Sequence, residues 1–148
     1  MMEALNVFAI IVAGLMVGSE LAMATFVHPT LDRFPDDVHL PAASALARVQ
    51  GRFMPPWYIL VFLVTSAEVV IQWHQSGRLP IWMAISAVVW MLAILYSVTA
   101  LVPINNRIKL NPPPDWKTYR RKWDLLHRWR VALLTIAFAF LIVGMLSR

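Results

Sequence analysis

The stretch DWKTYRRKWDLLHRWRVALLTIAFAFLIVGML, residues 115–146, decides the fold. Its second half, 131–146, carries no charge and approaches the roughly 20 apolar residues that cross a bilayer core. Its first half holds six Lys and Arg residues. Upstream, Pro112 to Pro114 stop the preceding chain, and Asp115 can cap the next helix. The pattern predicts one long helix that starts outside the lipid and continues into it. Three more apolar runs, 5–27, 57–73 and 81–102, have similar lengths. None shows the two-residue alternation of barrel strands, and all are too long for one. The expected fold is therefore all-α, an integral membrane four-helix bundle forming a single transmembrane domain over 1–148. Between spans one and two, Asp36 or Asp37 can cap a short amphipathic helix, and Pro55-Pro56 can bend the entry into span two.

The totals agree. Of 148 residues 59% are hydrophobic and 14% charged, with mean hydropathy +0.64, whereas a soluble domain carries about 25% charge. No cysteine is present, which removes disulfides, thiolate metal sites and cysteine nucleophiles. The start MMEALNVF places an acid where a signal peptide needs positive charge, so a cleavable signal is not expected.

A net charge of +5 suggests nucleic acid until its distribution is read. Arg33, Arg48, Arg52, Arg107, Lys109, Lys117, Arg120, Arg121, Lys122, Arg128 and Arg130 fall on one side of the predicted spans, and only Arg78 and Arg148 on the other. By the positive-inside rule the basic side is cytoplasmic, both termini are extracytoplasmic, and the partner is the lipid bilayer of a bacterial inner membrane, with no nucleic acid. Trp57 and Trp129 then mark the inner boundary, Trp73 and Trp82 the outer one.

Polar residues inside such spans are costly and need a reason. From the inner boundary Glu20 is roughly 12 Å deep and Glu68 roughly 16 Å, so the two acids should lie at comparable depth, facing inward. Glu20 and His28 share a broad helix face, and Arg120, Trp123, His127 and Arg130 fall within about 80° of arc on helix four. Asp124 reads as a partner of Arg121 and Arg128 in a surface network. Asn105, Asn106 and Arg107 come just after Pro103, which should stop span three. Plainer readings stand beside these: either acid can serve an arginine, each histidine can be an ordinary hydrogen-bonding residue, and the asparagines can close a helix end. Gly14 and Gly18 form a GxxxG, a face for close packing or a homodimer.

The segments GSELAMATFVHPTL, ARVQGRFMPPWY, VPINNRI and WDLLHRWRVALL resemble, in order, the bacterial branch of a family of small four-helix membrane proteins that includes the fungal anthrone oxygenases. The resemblance singles out Glu20, His28, Pro29, Arg48, Arg52, Trp57, Asn105, Asn106, Trp123, His127 and Arg130. It implies an oxidase or oxygenase acting on a lipophilic phenol, anthrone or quinone-like molecule drawn from the membrane. The expected catalytic groups are Glu20 as base, His127 as relay, and Arg130 with Asn106 at a developing oxyanion. Trp123, Asn105 and Arg52 are expected to bind a cofactor or substrate. Alternatively Glu20, His28 and His127 supply two nitrogens and one oxygen to iron, copper or zinc; haem on His28 or His127 is a weaker variant. The competing readings are a non-enzymatic membrane module that binds a lipid, cofactor or partner, and a small proton-coupled carrier.

Overall fold

In the computed structural model, which describes residues 2–110 and 113–147, the elements run α1 (Met2–Ala22), a π-helical turn (Met23–Val27), α2 (His28–Leu31), α3 (Asp36–Ser76), α4 (Ile81–Tyr96), a second π-helical turn (Ser97–Leu101), α5 (Val102–Leu110) and α6 (Trp116–Leu146). They form four rods, Glu3–Leu31, Asp36–Ser76, Ile81–Ile108 and Trp116–Leu146, each long and apolar enough to cross a membrane. No strand occurs among the described residues. α1 packs on α3 and α6, and α4 packs on the same two, so the rods close into a ring in chain order.

Burial repeats at alternating three- and four-residue steps. On α6 the buried positions Trp116, Arg120, Trp123, His127, Arg130, Leu134, Ala137, Leu141 and Gly144 follow this pattern, with Val131 buried beside them. This is the seam of a left-handed bundle, polar in its first half and apolar in its second. The apolar half meets Ala13, Met16 and Val17 of α1, Tyr58 and Val61 of α3, and Met83, Trp90 and Ala93 of α4. Small residues permit close approach there: Ser86 donates to the Ala137 carbonyl at 2.7 Å, and a methyl built on Gly144 would collide with Met83. Outward positions such as Leu15, Phe26, Leu63 and Val88 are apolar and exposed, as lipid contact requires. Gly14 lies against the Phe138 ring and so packs within the bundle, while nothing lies within 4 Å of a methyl built on Gly18. The homodimer face expected from this pair is thus half consumed by an intramolecular contact.

Several sequence expectations change. The separate short helix is the first part of α3, a single helix of 41 residues that contains Pro41, Pro55 and Pro56. The proline pair deprives the Gly51 and Arg52 carbonyls of partners, but both residues are exposed, so the loss falls where other partners are available. At 1.5 Å per residue α3 is about 62 Å long, twice the hydrocarbon thickness, so a large part of it stands outside the lipid. Asp36 lies in its first turn and Asp115 at the N-cap of α6, but neither makes a side-chain capping bond. Of the proline stop before α6, Pro112 lies outside the described residues. At the other end of α3 the chain leaves through Gly77, whose φ of 66° provides the left-handed C-terminal cap.

Pro103 does not end span three. A π-helical turn precedes it and the helix continues as α5. The same device occurs on the first rod before Pro29. In each case a threonine sits four residues before the proline, and its hydroxyl bonds the carbonyl four residues further back: Thr25 to Leu21 at 2.7 Å, and Thr99 to Leu95 at 2.8 Å. The wide turns are closed by bonds from the His28 amide to the Met23 carbonyl and from the Val102 amide to the Ser97 carbonyl. Widening the turn relieves the clash between the proline ring and the carbonyl four residues back. It also rotates the downstream segment. Eight ordinary helical steps put His28 about 80° from Glu20, whereas one residue absorbed by the wide turn leaves roughly seven steps and an offset of about 20°. Glu20 and His28 therefore share the inward seam.

Candidate functional site

At the end of the bundle richer in Lys and Arg, the polar half of the α6 seam meets Glu20, His28 and Tyr58. Glu20 is fully buried. Its Oε1 accepts from the Tyr58 hydroxyl at 2.8 Å and its Oε2 from Arg130 Nη2 at 2.7 Å. The same Nη2 reaches His127 Nδ1 at 2.9 Å. A guanidinium can only donate, so Nδ1 is the acceptor and the imidazole proton sits on Nε2. His127 Nδ1 is also 3.5 Å from Glu20 Oε2, and the Glu20 main-chain carbonyl approaches the ring. A charge that would be prohibitive alone in this interior is thus compensated by one guanidinium and one phenol.

Beyond His127 lies a second polar layer. Trp123 stacks on His127 with ring centroids 4.8 Å apart and planes 14° from parallel, and His28 tilts against both. His28 Nδ1 is 3.2 Å from Asp124 Oδ1, and Arg120 Nη2 is 3.1 Å from the same oxygen. Both are close as charges yet misaligned as hydrogen bonds, and all three atoms lack an aligned partner. Asp124 therefore faces the interior with Arg120 and His28, not the surface with Arg121 and Arg128. Arg120 lies over the Trp123 ring at 4.7 Å.

Beside the Glu20 cluster, between α3 and the third rod, is a cavity of about 200 Å³. Apolar side chains including Met54, Ile59, Ile94 and Leu101 supply most of its wall, and Tyr58, Arg130, Trp123, Asn105 and Gln50 contribute polar groups. Exposed residues Ile59 and Val98 flank it, so it opens toward the lipid side of the bundle. This combination of apolar wall and a few convergent polar groups is that of a small-molecule site. A larger space of about 620 Å³ lies at the opposite end, around Gln72, Arg78 and Trp82, and touches none of the cluster.

The structure brings Glu20, His127, Arg130, Trp123 and His28 together and places Asn105 in the cavity wall. It leaves two expected residues outside. Asn106 is exposed on α5, because the π-helical turn rotates its neighbour Asn105 inward instead. Arg52 is exposed too, with its guanidinium 5.9 Å from the Phe53 ring. The proposed ligand set of Glu20, His28 and His127 does not converge: Arg130 occupies Glu20 and His127 Nδ1, and His28 Nδ1 turns to Asp124. Among the described residues no group of three or more His, Asp or Glu side chains is arranged to hold a metal ion. A cation would also have to sit against the fixed Arg130 charge. The space beside the two rings is about 40 Å³.

Tyr58 went unnoticed in the sequence, although a lone phenol in an apolar run needs a partner as much as an acid does. Its neighbour Trp57 is half-buried and donates to the Val12 carbonyl at 3.1 Å. Through its hydrogen bond with Tyr58, Glu20 sits level with that residue, ten residues or roughly 15 Å along α3 from Glu68. The two acids are not at comparable depth, and Glu68, fully buried, belongs to another layer of the bundle.

The family model of the anthrone oxygenases matches residues 42–140, about two thirds of the chain. This chain belongs to the anthrone oxygenase family. The match contains Tyr58, Asn105, Trp123, His127 and Arg130, whereas Glu20 and His28 precede it. In this anthrone oxygenase family member the two parts meet through the Glu20–Arg130 pair. No curated protein and no solved structure matches the chain significantly.

Proposed function

We propose that this protein is a membrane-embedded oxygenase of the bacterial branch of its family, oxidising an anthrone-like or phenolic lipophile in the cavity beside Tyr58 and Arg130. One observation carries the reading: the apolar cavity opens toward lipid and ends on the two residues that also hold the buried Glu20 carboxylate. The ketone oxygen of the substrate meets Arg130 and Asn105, which stabilise it as the enolate forms. The Tyr58 oxygen takes a methylene proton while its own proton passes to Glu20 Oε1. Dioxygen then adds at the reactive carbon, and the resulting hydroperoxide loses water. One methylene and one dioxygen give one carbonyl and one water, so atoms and electrons balance. The basic end faces the cytoplasm of a bacterial inner membrane in this reading, in accord with the bias of Lys and Arg.

The test is aerobic oxidation of 10-anthrone by the purified full chain in nanodiscs, following quinone absorbance and oxygen uptake together. Acceleration over the spontaneous rate with one oxygen consumed per quinone is expected, with most of it lost in Tyr58→Phe and Arg130→Met. A rate no faster than empty nanodiscs sinks the proposal. The second reading, a binding module, draws on the full engagement of Glu20 by Tyr58 and Arg130; it gives anthrone binding without oxygen uptake.

A further inference from the structure

The face of His127 away from Arg130 is unexplained by this chemistry. His127 Nε2, His28 Nδ1 and Asp124 Oδ1 are buried without an aligned hydrogen bond. All three side chains line one void of about 40 Å³, with Ala24, Pro29, Asp32 and Arg128. Buried polar atoms seldom go unsatisfied, and a void of roughly 10–15 Å³ already admits a water when two to four polar partners surround it. This void is large enough and has three. Asp32 also borders a second cavity of about 200 Å³, open at the basic end and lined by His39, Lys117, Arg120 and Arg121.

We propose that the void holds an ordered water contacted by His127 Nε2, His28 Nδ1 and Asp124 Oδ1, and that this water connects the Glu20–His127 pair to solvent at Asp32. The reading rests on the proposed function for its chemical purpose. The lipophile enters from the lipid side, and protons exchange from the opposite face of the same cluster. The titratable groups facing the route are Glu20 and His28 from the first rod, Asp32 just after it, Asp36, His39 and Tyr58 from α3, and Lys117, Arg120, Arg121, Asp124, His127, Arg128 and Arg130 from α6. In oxidation both methylene hydrogens end in the water released, so no net proton crosses. The route allows the proton held at Glu20 to exchange with bulk water before it returns. Asp124 touches no substrate and acts through His127, as a positioning residue.

Two measurements test this on the full chain in nanodiscs. The first needs no substrate. In histidine-labelled protein, the His127 Nε2 proton should show a magnetisation-transfer peak to water. Ala24→Val, which fills the void, should abolish it and leave the Nδ1 resonance that reports the Arg130 bond in place. A wild-type Nε2 proton that never contacts water overturns the proposal. The second incubates 10-anthrone without oxygen in heavy water, where removal and return of a proton replaces methylene hydrogen by deuterium. Wild type should accelerate this exchange. Asp124→Asn and Ala24→Val should each slow the accelerated part by about 10²-fold, Asp124→Glu should restore part of it, and KM for aerobic oxidation should stay nearly constant. Exchange at the wild-type rate in both variants overturns the relay while leaving the oxygenase reading intact. If wild type neither oxidises nor exchanges anthrone, the oxygenase reading fails, and the water peak still decides the hydration site.

Discussion

The strongest energetic consequence of the site concerns Arg130. Glu20 is fully buried and its Oε2 lies 2.7 Å from Arg130 Nη2. At an effective dielectric of about 20, two charges at that separation attract by about 6 kcal/mol, and desolvation of both groups offsets much of it. Removal of one partner is a different matter, because the other charge then stays behind in an apolar interior. Arg130→Met should cost about 3–5 kcal/mol, a factor of roughly 10² to 10³·⁵ in the folding equilibrium. Glu20→Gln should cost less, because the amide retains a carbonyl for Tyr58 or Arg130. The double variant, which removes both charges, should recover most of what Arg130→Met loses. Reversible unfolding in mixed micelles, read by tryptophan fluorescence on all four proteins, gives the coupling directly. A loss below about 1 kcal/mol for Arg130→Met, or a double variant no more stable than that single one, refutes the buried-pair argument.

Tyr58→Phe keeps the ring and leaves Glu20 Oε1 without its donor, so it should cost about 1–3 kcal/mol in the same unfolding assay. Gly144→Ala forces a methyl into Met83 and should destabilise by about 1–3 kcal/mol, whereas Gly18→Ala, with open space around it, should be neutral or slightly stabilising; thermal melts of the pair separate the two environments. Val98→Trp at the exposed rim of the 200 Å³ cavity should raise KM for anthrone by about tenfold with little change in melting temperature, as steady-state kinetics would show. Arg52→Ala and Asn106→Ala, both outside the cluster, should leave turnover within about twofold of wild type.

Much of the helical plan could be read in the chain because lipid enforces simple rules: long apolar runs become helices, and charges must turn inward or stay at the ends. The stripe of Arg120, Trp123, His127 and Arg130 was legible for that reason, as it lies on an unbroken helix whose phase is fixed by 3.6 residues per turn. Where a proline interrupts, phase depends on how the backbone absorbs it, which spacing does not reveal. For that reason Asn106 fell outside the cluster while Asn105 stayed in the cavity wall. Tyr58 and Asp124 failed for another cause. One was overshadowed by its tryptophan neighbour, and the other has arginines at several helical spacings, of which only tertiary packing selects Arg120. Which partner takes each nitrogen of His28 and His127 was likewise not legible, because pairwise proximity does not show that Arg130 engages His127 Nδ1 and that His28 Nδ1 turns to Asp124.

The paired T-x-x-x-P turns carry an implication for how such a protein changes over time. Each acts as a phase adjuster: gaining or losing one residue there would swing the distal segment by about 100° while the lipid-facing helix before it stays put. Descendants of this chain can therefore exchange the side chains presented to the bundle interior through a single-codon slip, with no need to rebuild the bundle itself.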